Sequence, residues 1–163
     1  MPRDFIDQLQ TDWGQERPDL DAGAMGVVLR IQALAKILGE QVEQRLQNFG
    51  LQWWQYDALS SLRRQGEPFV MAATELAEAN MLTSGAMTNR IDRLENDGLV
   101  RRLKDPGDRR RVLVQLTDKG VKLIEKATEA RFGVAMAALG GLSDEQMKTL
   151  SDLLRSLLTQ QRT

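Results

Sequence analysis

Residues 84–104 read Ser84-Gly85-Ala86-Met87-Thr88-Asn89-Arg90-Ile91-Asp92-Arg93-Leu94-Glu95-Asn96-Asp97-Gly98-Leu99-Val100-Arg101-Arg102-Leu103-Lys104. On a helical wheel, at about 100° per residue, Met87, Ile91 and Leu94 share one face, while Gly85, Asn89, Asp92, Arg93 and Asn96 lie opposite. Asp97-Gly98 stops that helix. Leu99 to Lys104 then reads as a strand, Asp105-Pro106-Gly107-Asp108 as a tight turn, and Val112, Val114 and Leu116 as a second strand with period two. The segment is thus one amphipathic helix followed directly by a hairpin.

Upstream, Ala73 to Glu78 reads as a short helix, joined to the one at Ser84 by Asn80-Met81-Leu82-Thr83. Helix, turn, helix and hairpin together predict a winged helix-turn-helix. Before it, Gln52 to Arg64 reads as helix, ended by Gln65-Gly66-Glu67-Pro68. From Ala24 to Phe49, Val27, Val28, Ile31, Leu34, Leu38, Val42 and Leu46 recur at helical steps, with Gly50 as the stop. Phe5 to Trp13 is a short leading helix, broken at Arg17-Pro18. Downstream, Thr117 is set to cap a helix that runs to Gly140-Gly141. Ser143, with Gln146 three residues on, opens the last helix. The fold class is mainly α with a small β-hairpin wing: a winged helix-turn-helix with a helical dimerisation region. Residues 1–50 are read as N-terminal helices for dimerisation and part of a ligand pocket, 51–117 as the winged segment, and 118–163 as C-terminal dimerisation helices.

Composition removes whole classes of chemistry. The 163 residues contain no cysteine and no histidine, so thiol redox chemistry, Cys/His zinc sites and His-based triads are excluded. No paired-acid motif, Gly-rich phosphate loop or metal-ligand spacing occurs, so no catalytic residue, metal or cofactor is expected. No apolar run approaches the roughly 20 residues of a membrane span, and the first ten residues lack a signal-peptide core; the protein is read as cytoplasmic, without a membrane partner. The net charge is −1, so any basic footprint must be local.

It is local. Residues 101–111 hold six cations (Arg101, Arg102, Lys104, Arg109, Arg110, Arg111) against Asp105 and Asp108, a net +4. A basic hairpin after a helix with a small, polar outer face suits double-stranded DNA. The helix enters the major groove, and the hairpin tip reaches the minor groove, where the potential is most negative. On this reading Asn89 and Arg93 face base edges. Ser84, Gly85 and Thr88 approach the backbone at the helix N-terminus. Arg109 and Arg110 form the wing tip, and Asp108 positions the wing by bonding a neighbouring arginine or backbone amide.

The chain from Thr74-Glu75-Leu76-Ala77 through Asn89-Arg90-Ile91-Asp92-Arg93-Leu94-Glu95, Gly98-Leu99-Val100, Asp108-Arg109-Arg110 and Leu116-Thr117-Asp118-Lys119-Gly120 resembles the MarR family of winged-helix regulators. The resemblance implies a homodimer on a pseudo-palindromic operator, usually a repressor relieved by a small ligand. Trp13 with Glu16-Arg17-Pro18-Asp19-Leu20-Asp21, and Leu62-Arg63-Arg64 with Gly66 and Pro68, are similar to its urate-responsive PecS/HucR branch. That likeness implies a ligand site made of Trp13, Asp57, Arg90 and Arg102, taking urate or a related small anion; another aromatic acid is the alternative. Plainer roles stand beside these: Trp13 as a packing anchor, Asp57 with Arg90 as a structural ion pair, and Arg102 on phosphate. Trp53, Trp54 and Tyr56 are read as core or dimer packing, and Met71, Met81 and Met87 as core.

Leu150, Leu153, Leu154, Leu157 and Leu158 form a broader apolar stripe than one small winged unit can bury. A twofold partner covers such a stripe and matches a twofold operator, with recognition helices about 34–36 Å apart. The competing class, a ligand-independent architectural DNA-binding protein, fits the acidic overall charge poorly.

Overall fold

The computed structural model describes residues 3–108 and 110–161; the predicted wing residue Arg109 lies outside them. They form two units, one ending at Gln41 and one beginning at Val42. The element order is α1 (Phe5–Glu16), α2 (Ala22–Gln47), α3 (Trp53–Arg63), β1 (Val70–Ala72), α4 (Ala73–Ala79), α5 (Ser84–Asn96), β2 (Val100–Lys104), β3 (Val112–Leu116), α6 (Asp118–Leu139) and α7 (Asp144–Gln160).

In the first unit a capping box starts α1. Asp4 accepts from the Ile6 and Asp7 amides at 2.9 and 3.1 Å, and Asp7 accepts from the Asp4 amide at 2.7 Å. Arg30 of α2 bonds Asp4 and Asp7, each at 2.8 Å, and Gln10 packs over Gly26. The leading helix therefore runs to Glu16, past the predicted end at Trp13, because Gly14 interrupts it without breaking it.

The second unit holds the buried cluster, in which Leu46, Leu59, Leu62, Leu76, Met87, Ile91, Leu94, Val114 and Ile124 are essentially inaccessible. Met87, Ile91 and Leu94 are the predicted inner face of α5. The Thr83 side chain caps that helix at the Ala86 amide. Its end is a Schellman turn: the Leu99 amide donates to Leu94 O and that of Gly98 to Glu95 O, with Gly98 at φ +70°. The chain then enters β2, which pairs antiparallel with β3 from Val100↔Leu116 to Lys104↔Val112.

Two expectations are corrected here. The sheet has three strands, ordered β1-β3-β2, because Val70–Ala72 pairs antiparallel with Leu113–Gln115. Also, α2 is long and apolar enough, by length and composition alone, to cross a membrane. Arg30 and Lys36 split its apolar residues, so no unbroken run marks it in the sequence.

Thr117 caps α6 at the Gly120 amide (3.0 Å), and its hydroxyl donates to Gly98 O at 2.7 Å. This seats Gly120 on the α5–β2 turn so closely that a Cβ there would fall 2.1 Å from the Leu99 carbonyl oxygen. Backbone cannot yield as a side-chain tip can. Gly120→Ala is therefore expected to cost about 2 kcal/mol despite its better helix propensity, lowering Tm by about 4–8 °C. A melting curve within a degree of the parent would refute that seating.

Candidate nucleic-acid interface and effector pocket

Ser84, Gly85, Thr88, Asn89 and Arg93 all lie exposed on α5. A Cβ at Gly85 would meet nothing within 4 Å, so the backbone there is open to close approach. Thr88 turns its hydroxyl back to Ser84 O at 2.9 Å. The face opposite the buried stripe is thus small and polar, with Arg93 toward its C-terminal end, as major-groove entry requires.

Internal bonds sort the cations of the hairpin. Arg102 is clamped by Asp92 (2.5 Å) and Glu95 of α5, and Glu95 also accepts from the Arg102 amide at 3.0 Å. Arg111 pairs with Glu75 of α4 and, at 3.6 Å, with Asp105. Arg101 donates to Gln115 Oε1 at 2.8 Å. The wing is therefore tied back on both sides, β2 to α5 through Arg102 and the residue before β3, Arg111, to α4. Among the described residues Lys104 and Arg110 enter no ion pair. Asp108 Oδ1 accepts from the Arg110 amide at 2.9 Å and Asp108 O from the Arg111 amide at 3.0 Å, which folds the tip into a tight turn with the Arg110 side chain exposed.

The residues proposed for a ligand are distributed differently. Asp57 lines a cavity of about 670 Å³ between α3, the end of α4 and α6, together with Arg63, Arg64, Arg131, Trp53 and Phe132. Burial pushes the Asp57 carboxyl up; the Trp53 side chain and the charges of Arg90, Arg131 and Arg64 oppose that, in this order. Arg90 forms no ion pair with Asp57; its guanidinium lies 5.3 Å from the Trp54 ring centroid. Arg102 does not line the cavity, since the α5 acids hold it. Trp13 sits exposed on α1 in the first unit. Met81, expected in the core, is 87 % exposed at φ +54° in the α4–α5 turn. Trp53, expected in packing, stands on the cavity wall.

The raised Asp57 carboxyl carries a pH signature. Above its folded-state pKa the charged form is disfavoured relative to the unfolded chain; that penalty fades as pH falls through the folded value and is gone below the ordinary one, about 3.9. Asp57→Asn is therefore expected to raise Tm at pH 7–8 and to leave it unchanged near pH 3.5. Water screening holds the gain below about 1 kcal/mol, so about 1–3 °C. An equal shift at both pH values would contradict it.

The MarR family profile matches residues 51–112, from the start of α3 to the wing. The transcriptional regulator PecS of Dickeya dadantii is 32 % identical over 91 % of this chain and 90 % of its own. The chain belongs to the MarR family. It is a DNA-binding transcription regulator and not an enzyme. Two solved members from Streptomyces coelicolor, both MarR family transcriptional regulators, share the fold. AbsC has a TM-score of 0.79 at 26 % identity, over 88 % of this chain and 97 % of its own. Sco3205, solved in complex with DNA, has 0.75 at 26 % identity, over 85 % and 88 %.

Proposed function

We propose that this MarR-family chain is a repressor that binds a pseudo-palindromic operator as a homodimer in the cytoplasm and releases it on binding a small anion, urate or a related purine. The observation that carries the DNA half is the exposed polar face of α5 beside a wing in which, among the described residues, Arg110 and Lys104 enter no ion pair while Arg102 and Arg111 are tied to acids. Residues 51–117 do the binding, with Ser84, Gly85, Thr88, Asn89, Arg93, Arg109 and Arg110 against DNA and Asp108 shaping the tip. Residues 1–50 and 118–163 supply dimerisation helices, and Trp13, Asp57, Arg90 and Arg102 take part in the effector response.

The effector half is supported by an aspartate set among arginines at a cavity of ligand size, and by the likeness to the urate-responsive branch. Arg102 acts indirectly here: its clamp on Asp92 and Glu95 is the joint through which a shift at the pocket would reach the wing. The test is fluorescence anisotropy on a fragment of the promoter upstream of the chain's own gene, with and without urate. Binding that survives scrambling of the fragment would sink operator specificity. Binding indifferent to urate would sink the purine reading and leave the regulator intact.

A further inference from the structure

We propose that Gln55 is a positioning residue for DNA recognition: its buried side-chain amide pins the C-terminal end of α5 through Asp97 and so sets the angle at which Asn89 and Arg93 meet the bases. This rests on α5 as the DNA-reading helix, and it extends that reading to a residue of α3 that faces no base.

Burial singles Gln55 out. It is only 9 % exposed, and a buried amide left without partners is costly. The two ends of the amide are committed in opposite directions. Oε1 accepts from the Gln52 amide at 2.9 Å, closing the first turn of α3. That bond leaves Nε2 facing Asp97, whose Oδ2 accepts from it at 3.2 Å across 42 positions of sequence. A carboxylate only accepts and a backbone amide only donates, so the Gln55 side chain cannot turn over without losing both bonds. Ser61, also buried, donates instead to Asp57 O, one turn back in its own helix.

Asp97 is the C-cap of α5. Its backbone carbonyl accepts from Lys119 Nζ of α6 at 2.7 Å, so α3 and α6 together hold the end of the recognition helix. Arg102 holds the wing side of the same helix at Asp92 and Glu95. The Met87, Ile91 and Leu94 stripe fixes how deep α5 sits, but apolar contact is non-directional and leaves the tilt open. At about 1.5 Å per residue, the 13 residues of α5 span about 20 Å. A swing of about 3° at the pinned end therefore moves the far end by about 1 Å, enough to spoil a bidentate hydrogen bond to a base. Arg93 stands beside the pin, on the hollow lined by Gln52, Trp54, Gln55 and Asp97.

The experiment is fluorescence anisotropy of the full chain on the promoter fragment upstream of its own gene and on a scrambled copy. The proteins compared are the parent, Gln55→Glu, Asp97→Ala and the double variant Gln55→Glu with Asp97→Asn, each at a temperature where its melting curve shows it folded. Gln55→Glu keeps the cap on the Gln52 amide and sets a carboxylate against Asp97. It is expected to weaken operator binding about tenfold, with a smaller loss on the scrambled copy. Adding Asp97→Asn restores the bond with donor and acceptor exchanged and returns the net charge to that of the parent. Operator affinity is then expected to recover to within about threefold of the parent. Asp97→Ala separates placement from charge. Removing an anion would by itself strengthen binding to both fragments, whereas loss of the pin weakens operator binding and reduces discrimination. Because Asp97 is exposed, this variant reports on the same bond even if Gln55→Glu does not fold. Parent-like operator affinity in every variant, or a double variant as weak as Gln55→Glu, would overturn the pin. Equal losses on both fragments would assign the effect to charge and overturn it as well. A parent that does not distinguish the fragments would overturn the reading of α5 itself, and the pin with it.

Discussion

Replacing Arg110 by alanine is expected to weaken DNA binding by about 1–3 kcal/mol, roughly 5- to 150-fold, and to flatten the dependence of log affinity on log salt by about 0.9. The size follows from how the other wing cations are spent. Arg102 and Arg111 neutralise acids of α5 and α4, and Arg101 is engaged by Gln115. The net charge counted along the hairpin therefore overstates what DNA meets, and Arg110 carries a large share of the remainder. Its backbone is already held by Asp108, so little entropy is lost when the tip docks. Asn89→Ala makes the useful contrast. A base reader loses discrimination between operator and mutated operator, whereas Arg110 loses affinity for both nearly equally. Affinity within twofold of the parent for Arg110→Ala would remove the wing tip from the interface.

Helix α5 was legible because its signals are local. Residues 84–96 repeat with the helical period, Thr83 precedes them and Gly98 follows, and each of these is decided within a few positions. The strand β1 was not legible, because three residues cannot show a period of two and their pairing partner lies beyond two helices. Arg102 shows the same limit from another side. Asp92 and Glu95 stand three apart on one face of α5, so a clamp on the strand that folds back over that face could have been inferred. A likeness between families fixes which residue types recur and leaves open what holds them in this chain. Arg64 stood in the likeness only as part of Leu62-Arg63-Arg64, with no role attached, and Arg131 carried no signal at all. They meet only because α6 packs on α3, and nothing about an arginine on a surface helix announces a cavity. Met81 misled for a physical reason: its turn needs a left-handed residue, and that geometry turns an apolar side chain to solvent.

Dimerisation is where the apolar pattern and the isolated chain are in open conflict, and it yields the second large effect. No residue of α7 is buried in the single chain. Leu153 and Leu158 stand 61 % and 65 % exposed, with Leu150, Leu154 and Leu157 beside them, and Met136 and Phe132 of α6 are likewise bare. A Ser143–Gln146 capping box gives this helix a defined start, so its stripe is a formed surface and not a frayed tail. At about 25 cal/mol per Å², covering such a stripe twice over in a symmetric interface supplies what a subunit of 18.4 kDa cannot obtain alone. Leu153→Asp with Leu157→Asp places two charges per subunit in that contact, with no partner for either. The parent is expected to sediment at twice the chain mass at micromolar concentration and to melt at a temperature that rises with concentration. The double variant should sediment at the chain mass, melt independently of concentration, and bind a full operator roughly a hundredfold more weakly, because the second half-site is no longer engaged at millimolar effective concentration. Its affinity for an isolated half-site should hardly change, since α5 and the wing are untouched. A parent that sediments as a monomer, or a double variant that still dimerises, would move the interface off α7 and leave its leucines without a partner.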